Sequence, residues 1–180
     1  EGIDDERDRR WYASVILNRL MFIYFLQKKF FVDDNENYLA DKLVESKAVG
    51  KDLYFDGFLK HLFFVGFAKP DDDPEKRKLR SVLGDVPFLN GGLFLPHKIE
   101  IDERYDIKIK DEAFENILEL FGRYSWNLDD TPGGKANEIN PDVLGYIFEK
   151  YINQKAFGAY YTRPEITQYL CERTIYKLIL

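Results

Sequence analysis

The sequence predicts a mainly α protein, a multi-helix connector with a small irregular β-hairpin element around residues 86–110. Three observations point there. Apolar residues recur in blocks with helical periodicity, the chain carries 15 Phe and 12 Tyr against only 2 Trp, and charged or Gly/Pro-containing stretches separate the blocks. With 45% of its 180 residues hydrophobic, the chain can bury a sizeable core.

Asp4 to Phe31 reads as the first helix. Asp4, Asp5 and Glu6 open it and Lys28 and Lys29 close it, as the helix dipole favours, and apolar residues all round from Val15 onward predict a buried central element. After the polar turn Asp33-Asp34-Asn35, helical stretches over Tyr38 to Ala48 and Asp52 to Phe67 are expected to pack on it. Asp73-Pro74 supplies an N-cap and a proline at the first helical position for a segment that Gly84 ends. Val86 to Leu95 places Asn90-Gly91 between apolar runs, a tight-turn signal, and Ile99/Ile101 and Ile107/Ile109 alternate with charged residues as short strands do. Asp111 is expected to cap a helix bearing Phe114, Ile117, Leu118 and Phe121. The loop Ser125 to Ile139, with Thr131-Pro132-Gly133-Gly134, is the best internal boundary. Asn140-Pro141 opens another helix, and Thr162 with Glu165 has the spacing of a capping box for the last one. The expected organisation is a helical domain over 1–125, a loop over 126–139, and a final part over 140–180.

Composition excludes several classes. A net charge of −6 argues against a free-standing module that tracks nucleic-acid phosphates, because such affinity comes largely from counterion release. The one basic cluster, Lys76-Arg77-Lys78 with Arg80, is a solvated helix face or at most a secondary DNA contact. The single Cys171 cannot form an internal disulfide. With only His61 and His97 there is no zinc-ligand pattern, and no metal site is expected. Both histidines read as structural. The longest apolar run, Leu20 to Leu26, is far too short to cross a bilayer, and no membrane association is expected. Asp71 with Glu75-Lys76 lacks the lysine spacing of a nuclease site. An opening without Met and a close on Leu178-Ile179-Leu180 without a capping residue suggest a segment of a longer polypeptide.

Lys155 to Ile166 joins a Gly-containing apolar loop to a helix N-terminus, a setting suited to a carboxylate or phosphate. Within it, Gly158-Ala159-Tyr160-Tyr161-Thr162-Arg163-Pro164 resembles the Gly-x-Phe/Tyr-Tyr-Thr-Pro motif of adenine-specific DNA methyltransferases, as in type I modification subunits and type IIG restriction-modification enzymes. Asn140 to Glu149 is similar to the helix preceding that motif. Pro87-Phe88-Leu89-Asn90-Gly91-Gly92-Leu93-Phe94, Asp111 to Trp126 and Leu17 to Leu26 are similar to the helical region upstream.

The resemblance implies a connector ahead of an S-adenosylmethionine-dependent methyltransferase core in a cytoplasmic prokaryotic protein, with residues 140–180 as the start of that core. It implies that Thr162 hydrogen-bonds the cofactor carboxylate, that Tyr160 and Tyr161 wall the pocket, and that Gly158 lets the backbone approach. DNA and the remaining methyltransferase, nuclease or target-recognition domains are the implied partners. Arg163 replaces the usual first proline. Neither a Gly-rich adenosine loop nor an Asn-Pro-Pro-Tyr-like motif occurs, so catalysis by this stretch alone, or measurable cofactor binding, is not expected. A stand-alone helical protein-interaction module is the alternative, and the order of the motif blocks weighs against it.

Overall fold

A computed structural model describes residues 2–89, 91–102, 104–126, 138–148, 162 and 164–179. It is mainly helical, as the sequence predicts: α1 Glu6–Gln27, α2 Tyr38–Val49, two π-wound turns Tyr54–Leu59 and Leu62–Phe67, α3 Pro74–Leu83, a 3-10 turn Gly92–Phe94, α4 Lys98–Ile101, α5 Asp111–Gly122, β1 Ser125–Trp126 paired with β2 Glu138–Ile139, α6 Pro141–Phe148, α7 Pro164–Arg173 and α8 Ile175–Ile179. The chain divides into two compact units, Glu1–Trp126 with Lys135–Glu138, and Asn127–Gly134 with Ile139–Leu180.

In the first unit α1 is capped by Asp5, whose carboxylate accepts from the Arg7 and Asp8 N–H groups at 2.8 and 3.1 Å. These bonds favour the ionised form and hold the Asp5 carboxyl below its ordinary range. Burial runs around the helix, taking in Ile16, Leu20 and Ile23 but also Asn18, Arg19 and Gln27. The helix stops at Gln27, so Lys28 and Lys29 lie in the following turn rather than in its last turn. Phe30, Asp33 and Asp34 there hold φ of 60, 51 and 49°. That left-handed turn is pinned from α3, because the Asp33 N–H donates to the Asp85 carbonyl at 2.7 Å and the Asp85 N–H donates to the Asp33 carboxylate at 2.9 Å. Gly84 permits the approach with φ 73°, since a Cβ there would sit 2.4 Å from the Asp33 carboxyl.

Long-range side-chain bonds tie α2 to the elements around it. Gln27 Oε1 accepts from the Leu39 N–H at 2.9 Å at the start of α2, where Asn37 makes no side-chain cap bond. The Tyr38 hydroxyl donates to the Leu83 carbonyl at 2.6 Å, and the buried Tyr54 hydroxyl donates to the Leu39 carbonyl at 2.8 Å. The 54–67 stretch packs on α2 and α3, and meets α1 where the Arg19 guanidinium lies 5.2 Å from the centroids of both Phe63 and Phe64. Asp73 caps α3, accepting from the Glu75 and Lys76 N–H groups, with Pro74 in the first turn as expected.

Two expectations are corrected. Among the described residues of 86–110 there is no strand: Ile99 lies in α4, Ile107 and Ile109 lie outside any helix or strand, and the two-stranded element forms instead from 125–126 and 138–139. Gly91 is extended at φ −171°, Gly92 opens a 3-10 turn, and neither has the positive φ of a tight hairpin turn. Within this stretch the Leu93 and Leu95 carbonyls accept from Arg19. Asp111, expected to cap its own helix, is instead the first residue of α5, Lys110 taking the cap position without a side-chain hydrogen bond to the first turn. Its carboxylate serves a different helix, because the N–H groups of Asp52 and Tyr54 would otherwise be orphaned at the start of the π-wound segment.

In the second unit Asn140 Oδ1 accepts from the Val143 N–H at 2.9 Å and so caps α6 as the sequence predicts. Leu144 is buried, whereas Val143 and Tyr146 are exposed. Helices α7 and α8 pack together around Thr174, whose N–H and hydroxyl both donate to the Leu170 carbonyl. Tyr151 and Ile152, expected on the α6 stripe, lie outside the described residues.

Candidate functional site

The most constrained constellation in the first unit centres on Arg19 of α1. Its guanidinium is 1% exposed and meets Glu100 of α4 in a bidentate pair, Nη1 to Oε1 at 2.6 Å and Nη2 to Oε2 at 3.0 Å. Nε donates to the Leu93 carbonyl at 2.8 Å and Nη2 to the Leu95 carbonyl at 2.9 Å. Glu100 also accepts from the Tyr12 hydroxyl at 2.9 Å and the His97 N–H at 2.8 Å. The Tyr12 pKa is pushed far up, first by burial and then by the adjacent carboxylate, so the phenol stays a donor. The His97 ring lies tilted against Trp11, centroids 3.9 Å apart, and accepts the Ile99 N–H at Nδ1, completing a reciprocal cap with Glu100; burial lowers its pKa. All three guanidinium nitrogens and both Glu100 oxygens are hydrogen-bonded, and the cluster fixes the segment 93–100 to α1. His97, read from sequence as structural, has that role in the cap.

On α3 the four cations divide. Lys76 is turned inward, with Nζ 2.8 Å from Asp71 Oδ1 and 3.3 Å from the Lys69 carbonyl, while Arg77, Lys78 and Arg80 are exposed. Arg80 lies 3.5 Å from Asp85. A hollow of about 150 Å³ beside this helix is bordered by Lys76, Arg77 and Arg80, but also by Asp71 and Asp85. Asp71 and Asp85 pair with Lys76 and Arg80, leaving Arg77 and Lys78 as the α3 cations without an ion pair among the described residues.

Of the residues the sequence singles out for cofactor, Gly158, Tyr160 and Tyr161 lie outside the described residues, as does Arg163. Thr162 is described and exposed, two residues before α7 begins. Glu165 and Ile166 are exposed in the first turn of α7, and Cys171, partly covered, is free. No group of three or more His, Cys, Asp or Glu residues placed to hold a metal occurs among the described residues, and no described helix is long and apolar enough to cross a membrane.

Sequence reasoning missed the Arg19–Glu100 pair. The signal was present, because an arginine inside the run Ile16 to Tyr24 on a helix that is apolar all round must find a carboxylate and carbonyls to be buried at all.

The chain is 33% identical over 188 aligned positions to a protein of Methanocaldococcus jannaschii provisionally named a type II restriction enzyme and methyltransferase. The alignment takes in 97% of this chain, which spans 15% of that relative's length. The relation to a restriction-modification protein thus runs along almost the whole sequence. No family model matches the chain, and no solved structure does.

Proposed function

We propose that this chain is a helical connector ahead of an S-adenosylmethionine-dependent, adenine-specific DNA methyltransferase core of the type IIG kind, and that it is not catalytic alone. The observation that carries this reading is the similarity along 97% of the chain to a protein named for both restriction and methylation, together with the motif Gly158 to Ile166. In this reading residues 1–125 form the connector, 126–139 link it, and 140–180 begin the methyltransferase domain. Gly158, Tyr160, Tyr161 and Thr162 contribute one wall of the cofactor pocket, and DNA is the substrate of the longer protein. Arg77 and Lys78, with Arg80, supply at most a secondary phosphate contact, since Lys76 is held by Asp71.

Where the cofactor is bound it supplies the methyl group, and the role of this stretch is to hold its carboxylate end through the Thr162 hydroxyl. Isothermal calorimetry with S-adenosylmethionine tests this on the 180-residue chain and on the longer protein through the methyltransferase core. Binding is expected only to the longer form and is expected to weaken about tenfold in Thr162→Ala, the loss of one hydrogen bond to a charged group. Equal binding by the longer wild type and variant would remove Thr162 from the pocket. A longer sequence without methyltransferase motifs would return the chain to the class of helical interaction modules.

A further inference from the structure

A groove of about 470 Å³ runs between α1 and α5 in the first unit and is floored by Ile16, Ile107 and Phe114. The two helices run in the same direction. At one end the Tyr105 hydroxyl, just ahead of α5, donates to the Asp8 carboxylate at 3.4 Å, and at the other the Tyr24 ring meets Phe121. The charged residues that line the groove, Arg9 and Lys108, are both cationic and stand together at the N-terminal end, in a chain whose net charge is −6. Lys108 pairs with Asp106 and Asp8 accepts from Tyr105, but neither carboxylate lines the groove. Arg9 forms no ion pair among the described residues. The far end is apolar, lined by Ile117 of α5 and by Leu17 of α1, which is 40% exposed. Arg9 and Leu17 are eight residues apart, about 12 Å along the α1 axis, or two turns of helix.

A trough between two parallel helices takes a third helix, ridges into grooves. With both lining charges positive and gathered at one end, its complement is a helix whose apolar stripe runs two turns and carries a carboxylate at one end. This chain spans 15% of the length of the M. jannaschii relative, so a polypeptide of that kind has ample sequence elsewhere to supply such a helix. We propose that the groove is the docking site of a helix from another part of the same longer polypeptide, an acidic residue of that helix meeting Arg9 and its apolar side chains lying over Ile16, Phe114 and Leu17. The proposal rests on the chain being part of a longer protein, as the connector reading has it, and not on the cofactor assignment, since covering of the groove and binding of S-adenosylmethionine are measured separately.

Thiol modification of Leu17→Cys in a Cys171→Ser background tests it, the rate at residue 17 being read by mass spectrometry of the labelled peptide in the 180-residue chain and in the longer protein. The introduced thiol is expected to react as an exposed one in the 180-residue chain and about tenfold or more slowly in the longer protein. Adding Arg9→Glu sets like charges against each other and should restore the fast rate in the longer protein, whereas Arg9→Lys should keep it slow. A glutamate so near the start of α1 suits the helix dipole, so Arg9→Glu leaves the fold in place. Equal rates at residue 17 in the two forms would overturn the proposal without any Arg9 variant. So would protection that survives Arg9→Glu, which would mean a covering without a carboxylate. Slowing of the 180-residue chain as its concentration rises would also overturn it, by assigning the groove to a second copy.

Discussion

Asp52 and Asp111 exchange backbone hydrogen bonds across 59 residues of sequence: Asp111 Oδ2 accepts from the Asp52 N–H at 2.8 Å and Asp52 Oδ1 accepts from the Asp111 N–H at 3.0 Å. Asp111 Oδ1 takes the Tyr54 N–H at 3.1 Å as well. One carboxylate pair thus satisfies the starts of two elements, and Asp52 adopts φ 57° to do so. Asp111→Ala strands a buried N–H at Tyr54, and should cost about 2–3 kcal/mol in urea denaturation, the penalty for an unsatisfied buried donor. Asp111→Asn keeps one acceptor and should lose less. Equal losses for the two would show that only charge matters at this position.

The Arg19–Glu100 pair is expected to behave as a buried ion pair with a shared network. Removing one side, in Arg19→Met or Glu100→Gln, should destabilise by about 3–5 kcal/mol because the other charge stays buried without its partner. The double variant should lose less than the sum, but should not return to wild type, since the Leu93 and Leu95 carbonyls also depend on Arg19. A double-mutant cycle by denaturant unfolding reads the coupling, and strict additivity would mean the two side chains do not act together.

His97 gives the first unit a pH response of defined sign. Burial lowers its folded pKa below the ordinary 6.5, and the ring accepts a hydrogen bond at Nδ1 that only the neutral form can take. Its contribution is therefore complete above about pH 6.5 and is lost as pH falls toward the folded value, where the unfolded chain takes up a proton more readily. Stability measured at pH 7.5 and 5.5 should drop more for the wild type than for His97→Asn. The same drop in both would assign the response to other groups.

Two glycines one turn of loop apart should respond oppositely to alanine. At Gly84, with φ 73° and the Asp33 carboxyl in the way, Gly84→Ala should cost on the order of 1–3 kcal/mol. At Gly91, with φ −171° and open space where a Cβ would stand, Gly91→Ala should be neutral or slightly stabilising. Thermal melts of the two variants compare them directly.

Local chemistry was legible in the sequence wherever a residue serves its own element. Asp73-Pro74 and Asn140-Pro141 start helices where the capping rules place them, and the all-round apolar run from Val15 makes α1 a buried helix. Reading failed wherever a side chain serves a distant element. Asp111 has the sequence of a cap for α5 yet caps the segment that opens at Tyr54, and the alternation at Ile99/Ile101 reads as a strand although both residues sit in α4, whose Glu100 is tied to the distant Arg19. Periodicity and capping describe a few residues at a time, whereas these bonds join positions 57 to 81 apart. For the proposed cofactor wall only Thr162 is described, so that reading rests on the motif and on the M. jannaschii relative.

The separation of Arg19 from Glu100 also bears on how the chain is made. The guanidinium that ends 1% exposed has its carboxylate 81 residues downstream, along with the two carbonyls that complete its shell. At ribosomal rates of about 5–20 residues per second, α1 waits roughly 4–16 s for that partner to be synthesised. During that interval the mature burial of α1 is closed to it, because a naked arginine would have to be sealed inside. The first unit can therefore commit to its packed state only late in translation, after α4 has left the ribosome, and any truncation ahead of Glu100 should yield a collapsed but unlocked chain.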